Sequence, residues 1–600
     1  MTPISTRTFG NEDALPRVPL PTLEDSCARF LDWCAPLLTV DELAATGTAV
    51  AEFLKPDGPA RVLHRALEEY DTTAHSWLDA FWPYRYLGRR DRIALNANFF
   101  FLFRPSTEGQ VARAASLVAG ALHFKGLVDR EELPPDTQRG VPLSMEQNRY
   151  LFSATRIPGV EIDTARTPYS AEHPGPSTER HVVVFRRGRM FRLDVVGPDG
   201  TPHALAEIEA ALQQIVDTTP PAEAGTSVGH LTTKARAEWA TSRARLAELG
   251  ANAELLDVVE RALFCVSLED VAPADVLAAC DRLLHGDSAD RWFDKATTLV
   301  VFPDGTAGFN GEHCKLDGTT VVGFIDFLLA TTGAVHAQRS GARAQGVPHA
   351  VELVWTLDDA LRADVAAAGT AFAEYAAATA TTTLSIEGFT AEDAKALRCS
   401  PDAFAQTAFQ LAHRRSKGLT GATYESIATR RFHHGRTEAM RVVTPEIVRF
   451  VQTWDDPAAT DDARRAAFRA AADAHVARAR QCQAGDAPEQ HLWELQLIQR
   501  RRGTELGATE PIGLYDSPGW TIMRDDYLST SAVPSPNVQY FGFGSTSARC
   551  IGIGYALMPT RFDLYLSTPA AVADRMHDFA RHLRDAIAEI SELLAAEIRE

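Results

Sequence analysis

The C-terminal segment carries the clearest hydrophobic pattern in the chain. Beyond Pro569, apolar side chains recur at spacings of 4, 3, 4, 4, 3 and 4 residues. This spacing forms one stripe along an α-helix and predicts an amphipathic helix that packs on its own domain. The stripe consists of Val572, Met576, Phe579, Leu583, Ile587, Ile590 and Leu594.

Earlier segments have patterns typical of strands. Two β-rich runs, 181–185 and 190–196, flank Arg187 and Gly188 and predict a hairpin. A third run, 299–302, leads into a turn at 303–305. A helix is predicted to begin near Thr22, with acidic side chains in its first turn. Further helices are predicted at 204–218, 232–249 and 357–378.

The chain is therefore predicted to be mixed α/β. A Gly-Val-Pro sequence at 346–348, followed by a strand-like run and a long Ala-rich helix, indicates a domain break near 345–360. The two predicted domains are 1–350 and 351–600.

Composition limits the classes of partner. Of 600 residues, 60 are Lys or Arg and 79 are Asp or Glu, which gives a formal net charge of −19. With 45% hydrophobic residues, disorder is excluded as the main state. The acidic balance disfavours nucleic acid as a partner, because phosphate binding needs a basic surface.

Several common signals are absent from the sequence. The eight cysteines form no CxxC pair, and HExxH, GxxxxGK[ST] and GxSxG do not occur, so no metal site is predicted. Charges interrupt every apolar stretch before about 18 residues, and the run 117–124 is typical of a core helix. There is no signal-type N-terminus and no final Ser-Lys-Leu. A cytoplasmic protein without a membrane partner is expected.

His313 and Asp317 form the first candidate for chemistry. A carboxylate four residues after a histidine can hold the imidazole in one tautomer, which leaves the other nitrogen as a general base. Taken alone, such a pair is more often structural.

Two other segments have a functional and a structural interpretation each. The hydroxyls of 527–531 suit an oxyanion, although a Ser/Thr-rich loop is the commoner explanation. The segment 430–441 holds six Arg or His residues, which indicates either a solvated basic surface or a site for an anionic ligand.

Taken together, these motifs resemble those of the choline/carnitine acyltransferase family in order and spacing, over nearly the whole chain. The resemblance implies CoA-dependent acyl transfer to a hydroxyl, with acyl-CoA as co-substrate and no permanently bound cofactor. The matching segments are 15–23, 77–87, 156–159, 290–295, 312–318, 400–404, 424–426, 435–438, 529–531 and 541–542.

The resemblance also implies roles for three residues. His313 matches the general base that deprotonates the acceptor hydroxyl, or the CoA thiol in the reverse direction. Asp317 matches the carboxylate that orients it. Ser531 matches the hydroxyl that stabilises the tetrahedral oxyanion, and transfer is direct, without an acyl-enzyme.

The CoA side is implied by a second group of matches. One Lys that the family carries before Ser-Pro-Asp is replaced by Ala391, and Glu392 and Asp393 add negative charge. A carrier protein is therefore an alternative donor, since its phosphopantetheine lacks the 3′-phosphate. The residues that match CoA-binding positions are Lys395, Arg398, Asp402, Glu425 and Ser426.

The acceptor side departs from the family. The motif 435–438 is of the carnitine type, yet Gln490 replaces the Arg that binds the carboxylate of carnitine. Choline, another amino alcohol or a polyol therefore remain alternative acceptors. Gln539 matches the acyl pocket and argues against long chains. The residues that match acceptor-binding positions are Tyr86, Tyr424, Thr437, Gln490, Ser529 and Phe541.

The implied fold is α/β, with two chloramphenicol-acetyltransferase-like domains that meet along an active-site tunnel and exchange a strand. A non-catalytic scaffold on the same fold is a further hypothesis. It is disfavoured because His313, Asp317 and Ser531 are all present.

Overall fold

The computed structural model describes residues 4–330 and 346–599. Residues 1–3, 331–345 and 600, which fall within the predicted domains 1–350 and 351–600, lie outside the described part of the chain. The chain forms two compact units. The first comprises the described residues of Met1–Asp13, Pro83–Thr381 and Ser535–Gly544, and the second those of Ala14–Trp82, Thr382–Pro534 and Ser545–Glu600.

These units differ from the continuous halves 1–350 and 351–600. Residues 14–82 belong to the second unit, and 535–544 belong to the first. The reason is strand pairing between distant segments. Val538–Phe543 pairs with Phe99–Phe103, so a short piece of the late sequence completes the earlier sheet.

An eight-stranded mixed sheet forms the centre of the first unit. Phe99–Phe103 is buried at every position and lies between two antiparallel neighbours. The predicted hairpin is present, with positive φ at Arg187 and Gly188 as a two-residue turn requires. In spatial order the strands are Ala350–Glu352, Arg189–Asp194, His181–Arg186, Cys265–Leu268, Thr298–Val301, Ala307–Gly311, Phe99–Phe103 and Val538–Phe543.

Helices and two small strand pairs complete the first unit. The pairs are Thr137–Gln138 with Val141–Pro142, and Thr155–Ile157 with Thr164–Arg166. The helices here are Phe81–Leu87 (at the unit boundary), Gln110–Asp129, Leu205–Thr218, Arg236–Ala247, Asn252–Arg261, Val276–Leu284, Gly318–Ala330 and Asp359–Ala377.

Gln110–Asp129 corrects one expectation from the sequence. Among the described residues it is the one helix long and apolar enough to cross a membrane, by length and composition alone. Its most apolar window is 72% buried inside the fold. The helix packs against Leu205–Thr218 and Gly318–Ala330, as a core helix does.

A six-stranded sheet forms the centre of the second unit. The predicted C-terminal helix, Ala573–Arg599, packs on Pro401–Lys417 and buries its apolar stripe from Met576 to Leu594. In spatial order the strands are Thr379–Ser385, Arg561–Pro569, Ile551–Met558, Leu528–Ala532, Thr423–Ala428 and Thr437–Arg441. The other helices are Leu23–Cys34, Val40–Phe53, Pro59–Asp71, Ala391–Ala396, Pro445–Trp454, Asp461–Gln483, Glu489–Leu506 and Pro518–Ile522.

Candidate active site

His313 lies in the short connection between the strand Ala307–Gly311 and the helix Gly318–Ala330. Its Nδ1 is 3.6 Å from Oδ1 of Asp317, slightly longer than a hydrogen bond. The Tyr86 ring stacks on the imidazole with 4.9 Å between ring centres and 16° between planes. The imidazole therefore faces a carboxylate on one edge and an aromatic ring on one face.

Gln147 fixes the position of Asp317. Its Nε2 donates to Asp317 Oδ2 at 2.7 Å, and the Asp317 backbone N–H donates to Gln147 Oε1, also at 2.7 Å. Thr320 donates to the same Oε1 at 3.2 Å. The carboxylate beside His313 is thus held by a glutamine that no sequence motif indicates.

A buried ionic network holds the other side of the His313 loop. Arg156 Nη1 donates to Glu312 Oε1 at 3.2 Å, and the Cys314 N–H donates to Glu312 Oε2 at 3.0 Å. Arg156 also donates to the Tyr86 carbonyl at 2.8 Å. One guanidinium therefore ties the His313 loop to the helix that carries the stacked tyrosine.

The ionic network extends from Arg156 to Asp163. The Asp163 carboxylate accepts hydrogen bonds from Arg156 Nε and Arg236 Nε, each at 2.6 Å. Burial opposes ionisation, but Arg236 and Arg156 hold the pKa of Asp163 below its usual range. Arg236 also pairs with Asp294 at 2.7 Å. Burial raises the pKa of Asp294 to about 6, against the effect of Arg236.

Two predicted residues of the late sequence lie in the first unit. Gln539 and Phe541 are on the strand Val538–Phe543. The Phe541 ring stacks on Phe101 with 5.2 Å between ring centres. Phe99, two residues earlier on that neighbouring strand, contacts the His313 ring edge-on at 5.1 Å. The first unit thus brings Tyr86, His313, Asp317 and Phe541 to one connected aromatic and polar cluster.

In the second unit, one face of the sheet gathers five predicted residues. Tyr424 is paired in register with Ser529 and with Arg441, and Ser426 with Ala439. Residues paired in register, and residues two apart on a strand, share a face. The predicted residues on this face are Tyr424, Ser426, Thr437, Ser529 and Ser531.

Glycines leave space beside the two serines of that face. Ser529 is in register with Gly552, and Ser531 with Gly554. The neighbouring strand therefore places no side chain next to either hydroxyl. Ser529 is buried, while Ser531 is half-buried.

Glu425 and Thr530 point to the opposite, helix-covered face. Gln406 of the helix Pro401–Lys417 donates to Thr530 Oγ1 at 2.8 Å, and Thr530 donates to the Tyr424 carbonyl at 2.9 Å. The CoA-binding set predicted from the sequence is thus divided between two faces of the sheet. Asp402 and Glu425 lie on one face, and Ser426 lies on the other.

The half-buried Asp402 forms a polar cluster with the buried side chains of Glu425, Tyr555 and His475. The Tyr555 hydroxyl is 2.5 Å from Asp402 Oδ1 and 3.1 Å from Glu425 Oε1, and His475 Nε2 is 3.0 Å from Asp402 Oδ2. Burial and the Asp402 carboxylate raise the pKa of Glu425 well above its usual range. Burial opposes ionisation of Asp402 as well, yet His475 lowers its pKa. The pKa values of the two neighbouring carboxyls are therefore shifted in opposite directions.

Lys395 and Arg398 are exposed at the end of the helix Ala391–Ala396 and just beyond it. Lys395 pairs with Glu392 at 2.8 Å, and each side chain is 58% exposed. Glu392 thus neutralises the charge of Lys395.

Gln490 is buried, with 5% of its surface exposed. Its Nε2 donates to the Thr437 carbonyl at 2.7 Å, and its Oε1 has no hydrogen-bond partner among the described residues. The amide orientation is fixed by that carbonyl, because the reverse orientation would place two oxygens together.

Arg441 is buried and paired with two carboxylates. Its Nε and Nη2 donate to Glu489 and its Nη1 to Asp526, all at 2.6 Å. Burial raises the pKa of Glu438, which is next to Thr437, to about 8. The basic segment is also not a solvated surface, since Arg430, Arg436 and Arg441 are all buried.

The comparisons with known proteins identify the class. The pattern of the family described as Choline/Carnitine o-acyltransferase matches residues 18–585. The chain belongs to this family, an enzyme family of acyltransferases, as the motifs of the sequence indicated.

Two of the similar proteins are named as carnitine O-acyltransferases. Rat peroxisomal carnitine O-octanoyltransferase is 32% identical over 83% of this chain and 83% of its own length. Rat carnitine O-acetyltransferase is 29% identical over 98% of this chain and 95% of its own length. A solved trichothecene 15-O-acetyltransferase from Fusarium sporotrichioides covers 84% of this chain and 92% of its own at 10% identity, with a TM-score of 0.38 that is too low for an inference.

Proposed function

We propose that the protein transfers an acyl group between CoA and the hydroxyl of carnitine or a carnitine-like alcohol, with His313 as the general base. The observation that carries this proposal is the held imidazole. His313 stacks on Tyr86 and lies 3.6 Å from an Asp317 carboxylate that Gln147 fixes by two hydrogen bonds. The names of the relatives support the choice of carnitine.

In the proposed reaction, His313 takes the proton of the acceptor hydroxyl as its oxygen attacks the thioester carbonyl. Asp317 stabilises the imidazolium that forms. The tetrahedral oxyanion collapses, the C–S bond breaks, and the imidazolium returns the proton to the CoA sulfur. No acyl-enzyme forms. Ser531, on the hydroxyl-bearing face of the second sheet, is the proposed donor to the oxyanion.

The donor side is assigned to CoA, with Asp402, Glu425, Ser426, Lys395 and Arg398 as the proposed contacts. The Lys395–Glu392 pair weakens the positive charge available for a 3′-phosphate. A carrier-protein thioester is therefore retained as an alternative donor. Gln539 is proposed to shorten the acyl pocket, which favours short or medium chains.

The test is thiol release from acetyl-, butyryl-, octanoyl- and palmitoyl-CoA, with carnitine, choline and glycerol each tested as acceptor. Release with carnitine, strongest for the shorter chains, is the expected result. Release only from palmitoyl-CoA would contradict the role of Gln539. If folded protein releases no thiol with any of the acceptors, the result would count against CoA as donor.

Replacing Ser531 with alanine is expected to lower kcat by about 100- to 1,000-fold, because one preorganised donor to the oxyanion is lost. KM for acyl-CoA should change little, since the hydroxyl acts on charge that develops in the transition state. Steady-state thiol release measures both kcat and KM.

Thr530→Val is not a suitable control for Ser531→Ala, because the Thr530 hydroxyl is hydrogen-bonded to Gln406. Thr568→Ser is the conservative control, because Thr568 lies two strands away on Arg561–Pro569 and serine keeps the hydroxyl that donates to the Cys550 carbonyl. A fall of less than fivefold in Ser531→Ala would remove Ser531 from this role.

A second candidate function has a different acceptor, one without a carboxylate. Gln490 and Arg441 favour it, because the amide N–H of Gln490 is used by the Thr437 carbonyl and the Arg441 charge is used by Glu489 and Asp526. The unpartnered Oε1 of Gln490 suits a ligand that donates a hydrogen bond.

Replacing Gln490 with arginine is expected to raise kcat/KM for carnitine by about 10- to 100-fold, because a hydrogen bond to a charged group contributes about 1.5–3 kcal/mol. Gln490→Met, of similar size without charge, separates this effect from loss of the bond to Thr437. If the second candidate holds, activity with the native acceptor falls in Gln490→Arg. No change with carnitine would show that position 490 does not contact the carboxylate.

A further inference from the structure

Three histidines from two distant segments meet at one place in the second unit. The ring centres of His75 and His433 are 5.4 Å apart, those of His75 and His434 4.6 Å, and those of His433 and His434 4.3 Å. One nitrogen from each ring lies within 4.8 Å of the others. His75 is exposed and the other two are half-buried.

This spacing is close to that around a single metal ion. Three imidazoles bound to one Zn²⁺ at about 2.0–2.1 Å in tetrahedral geometry have their ring centres roughly 5 Å apart. Adjacent residues of an extended chain would point to opposite sides. His434 has φ of +52°, and this left-handed residue turns the chain so that both neighbouring rings reach His75.

The loop that carries His433 and His434 is a tight, hydrogen-bonded turn. The Thr429 N–H donates to the Arg436 carbonyl at 2.8 Å, and the Gly435 N–H donates to the Phe432 carbonyl at 2.9 Å. A Cβ on Gly435 would lie 2.0 Å from the Thr429 oxygen, so only glycine fits there.

The segment around His75 is fixed as well. The backbone N–H groups of His75 and Ser76 donate to Asp79 Oδ2 at 3.0 and 3.3 Å. Both segments are also tied to one stretch of chain: His433 N–H donates to the Pro16 carbonyl at 2.9 Å, and Trp77 Nε1 to the Pro19 carbonyl at 3.1 Å. The three imidazoles are therefore held together by backbone that does not depend on their side chains.

We propose that His75, His433 and His434 form a binding site for a divalent transition metal, with Zn²⁺ as the best-fitting ion and solvent at the open position. The neutral imidazole is the form that binds metal, and it suits Zn²⁺, Ni²⁺ and Cu²⁺. The arginines at 430, 431 and 436 oppose any cation held by charge alone. The site therefore selects ions that form coordination bonds and excludes Mg²⁺ and Ca²⁺, which prefer oxygen ligands.

The proposed acyl transfer assigns no role to these three histidines, so binding of the metal itself is measured. Metal-free protein without an affinity tag is titrated with Zn²⁺ by calorimetry and with Co²⁺ by absorption spectroscopy. One equivalent per chain is expected, and millimolar Mg²⁺ should not compete. The Co²⁺ spectrum should lack thiolate-to-metal bands, which separates the site from the eight free cysteines.

Single replacements of His75, His433 and His434 by alanine are each expected to weaken Zn²⁺ binding by about tenfold or more, because each removes one ligand. His582→Ala, on the C-terminal helix, is the control and should bind as the native protein does. Thermal unfolding without metal should be unchanged in His75→Ala, because that side chain is exposed. Zn²⁺ should raise the unfolding temperature of the native protein and not that of the triple variant.

Two results would overturn the proposal. The first is the absence of a stoichiometric Zn²⁺ equivalent in native protein. The second is an equivalent that survives in the triple variant, which would assign the metal to another group, such as Asp402, Glu425 and His475.

Discussion

Replacing His313 with alanine is expected to lower kcat for acyl transfer by about 100- to 10,000-fold, because a positioned general base contributes that much to the rate. An alcohol is a weak nucleophile until its proton is taken, and the pair of His313 with Asp317 is the arrangement in this unit that suits the task. The measurement is thiol release under saturating acyl-CoA and acceptor.

The variant should keep its fold. The His313 side chain is 28% exposed, and its contacts include the face of the Tyr86 ring and the Phe99 ring. Asp317 keeps its two hydrogen bonds to Gln147. KM for acyl-CoA and the unfolding temperature should therefore stay near those of the native protein.

His582→Ala, at a half-buried histidine of the C-terminal helix, is the matched control and should leave kcat unchanged. A His313→Ala protein with kcat within tenfold of the native value would exclude His313 as the base. If the variant loses activity because it loses its fold, its unfolding temperature will fall below that of the native protein.

The elements with strict periodicity could be predicted from the sequence. The hairpin 181–196 has the expected turn, and six of the seven apolar residues of the C-terminal stripe are fully buried. Val572 differs because it falls in the short 3-10 turn Ala570–Val572 before the helix. Local patterns are sufficient in these cases because neighbours in sequence also decide which face is buried.

The composition of the two units could not be predicted in this way. Val538–Phe543 has the pattern of an ordinary strand, and nothing in it specifies Phe99–Phe103 as its partner. Pairing between distant segments is decided by which edges remain open when the sheet forms. That information is absent from any single window of sequence.

In the candidate site too, local motifs indicate some residues, while contacts between distant segments determine the roles of others. Motifs predict His313, Asp317 and the hydroxyl-bearing strand as site residues. Strand register places Tyr424, Ser426, Ser529 and Ser531 on one face. Gln147 was missed because its partner lies 170 residues away and a lone glutamine carries no signal. Arg156 stands in a matching motif, yet its role depends on the carboxylates of Asp163 and Glu312, and Glu312 is 156 residues away in sequence.

Replacing Arg156 with methionine is expected to lower the free energy of unfolding by about 3–5 kcal/mol, because removal of one partner leaves the other charge buried and uncompensated. Arg156 and Glu312 are 1% and 2% exposed. Asp163 keeps Arg236, but Glu312 keeps only the backbone N–H of Cys314 among the contacts described above. Glu312 is therefore the group that destabilises the variant.

Hydrogen exchange of the strands Thr298–Val301 and Ala307–Gly311, together with urea unfolding, measures the loss where it is expected. Arg245→Met is the matched control. Arg245 pairs with Asp358 at 2.8 Å, but the two side chains are 50% and 41% exposed. An exposed pair of this kind contributes at most about 1 kcal/mol, so the control should unfold almost as the native protein does.

The double variant Arg156→Met with Glu312→Gln separates a buried charge from lost packing. If the uncompensated Glu312 carboxylate causes the destabilisation, neutralising it should recover about half or more of the loss, since an uncharged amide is far less costly to bury. If lost packing of the Arg156 side chain is the cause, the second change recovers nothing. An Arg156→Met protein as stable as the Arg245→Met control would show that Glu312 does not need this guanidinium, and the loop that carries His313 would then be held by its backbone contacts alone.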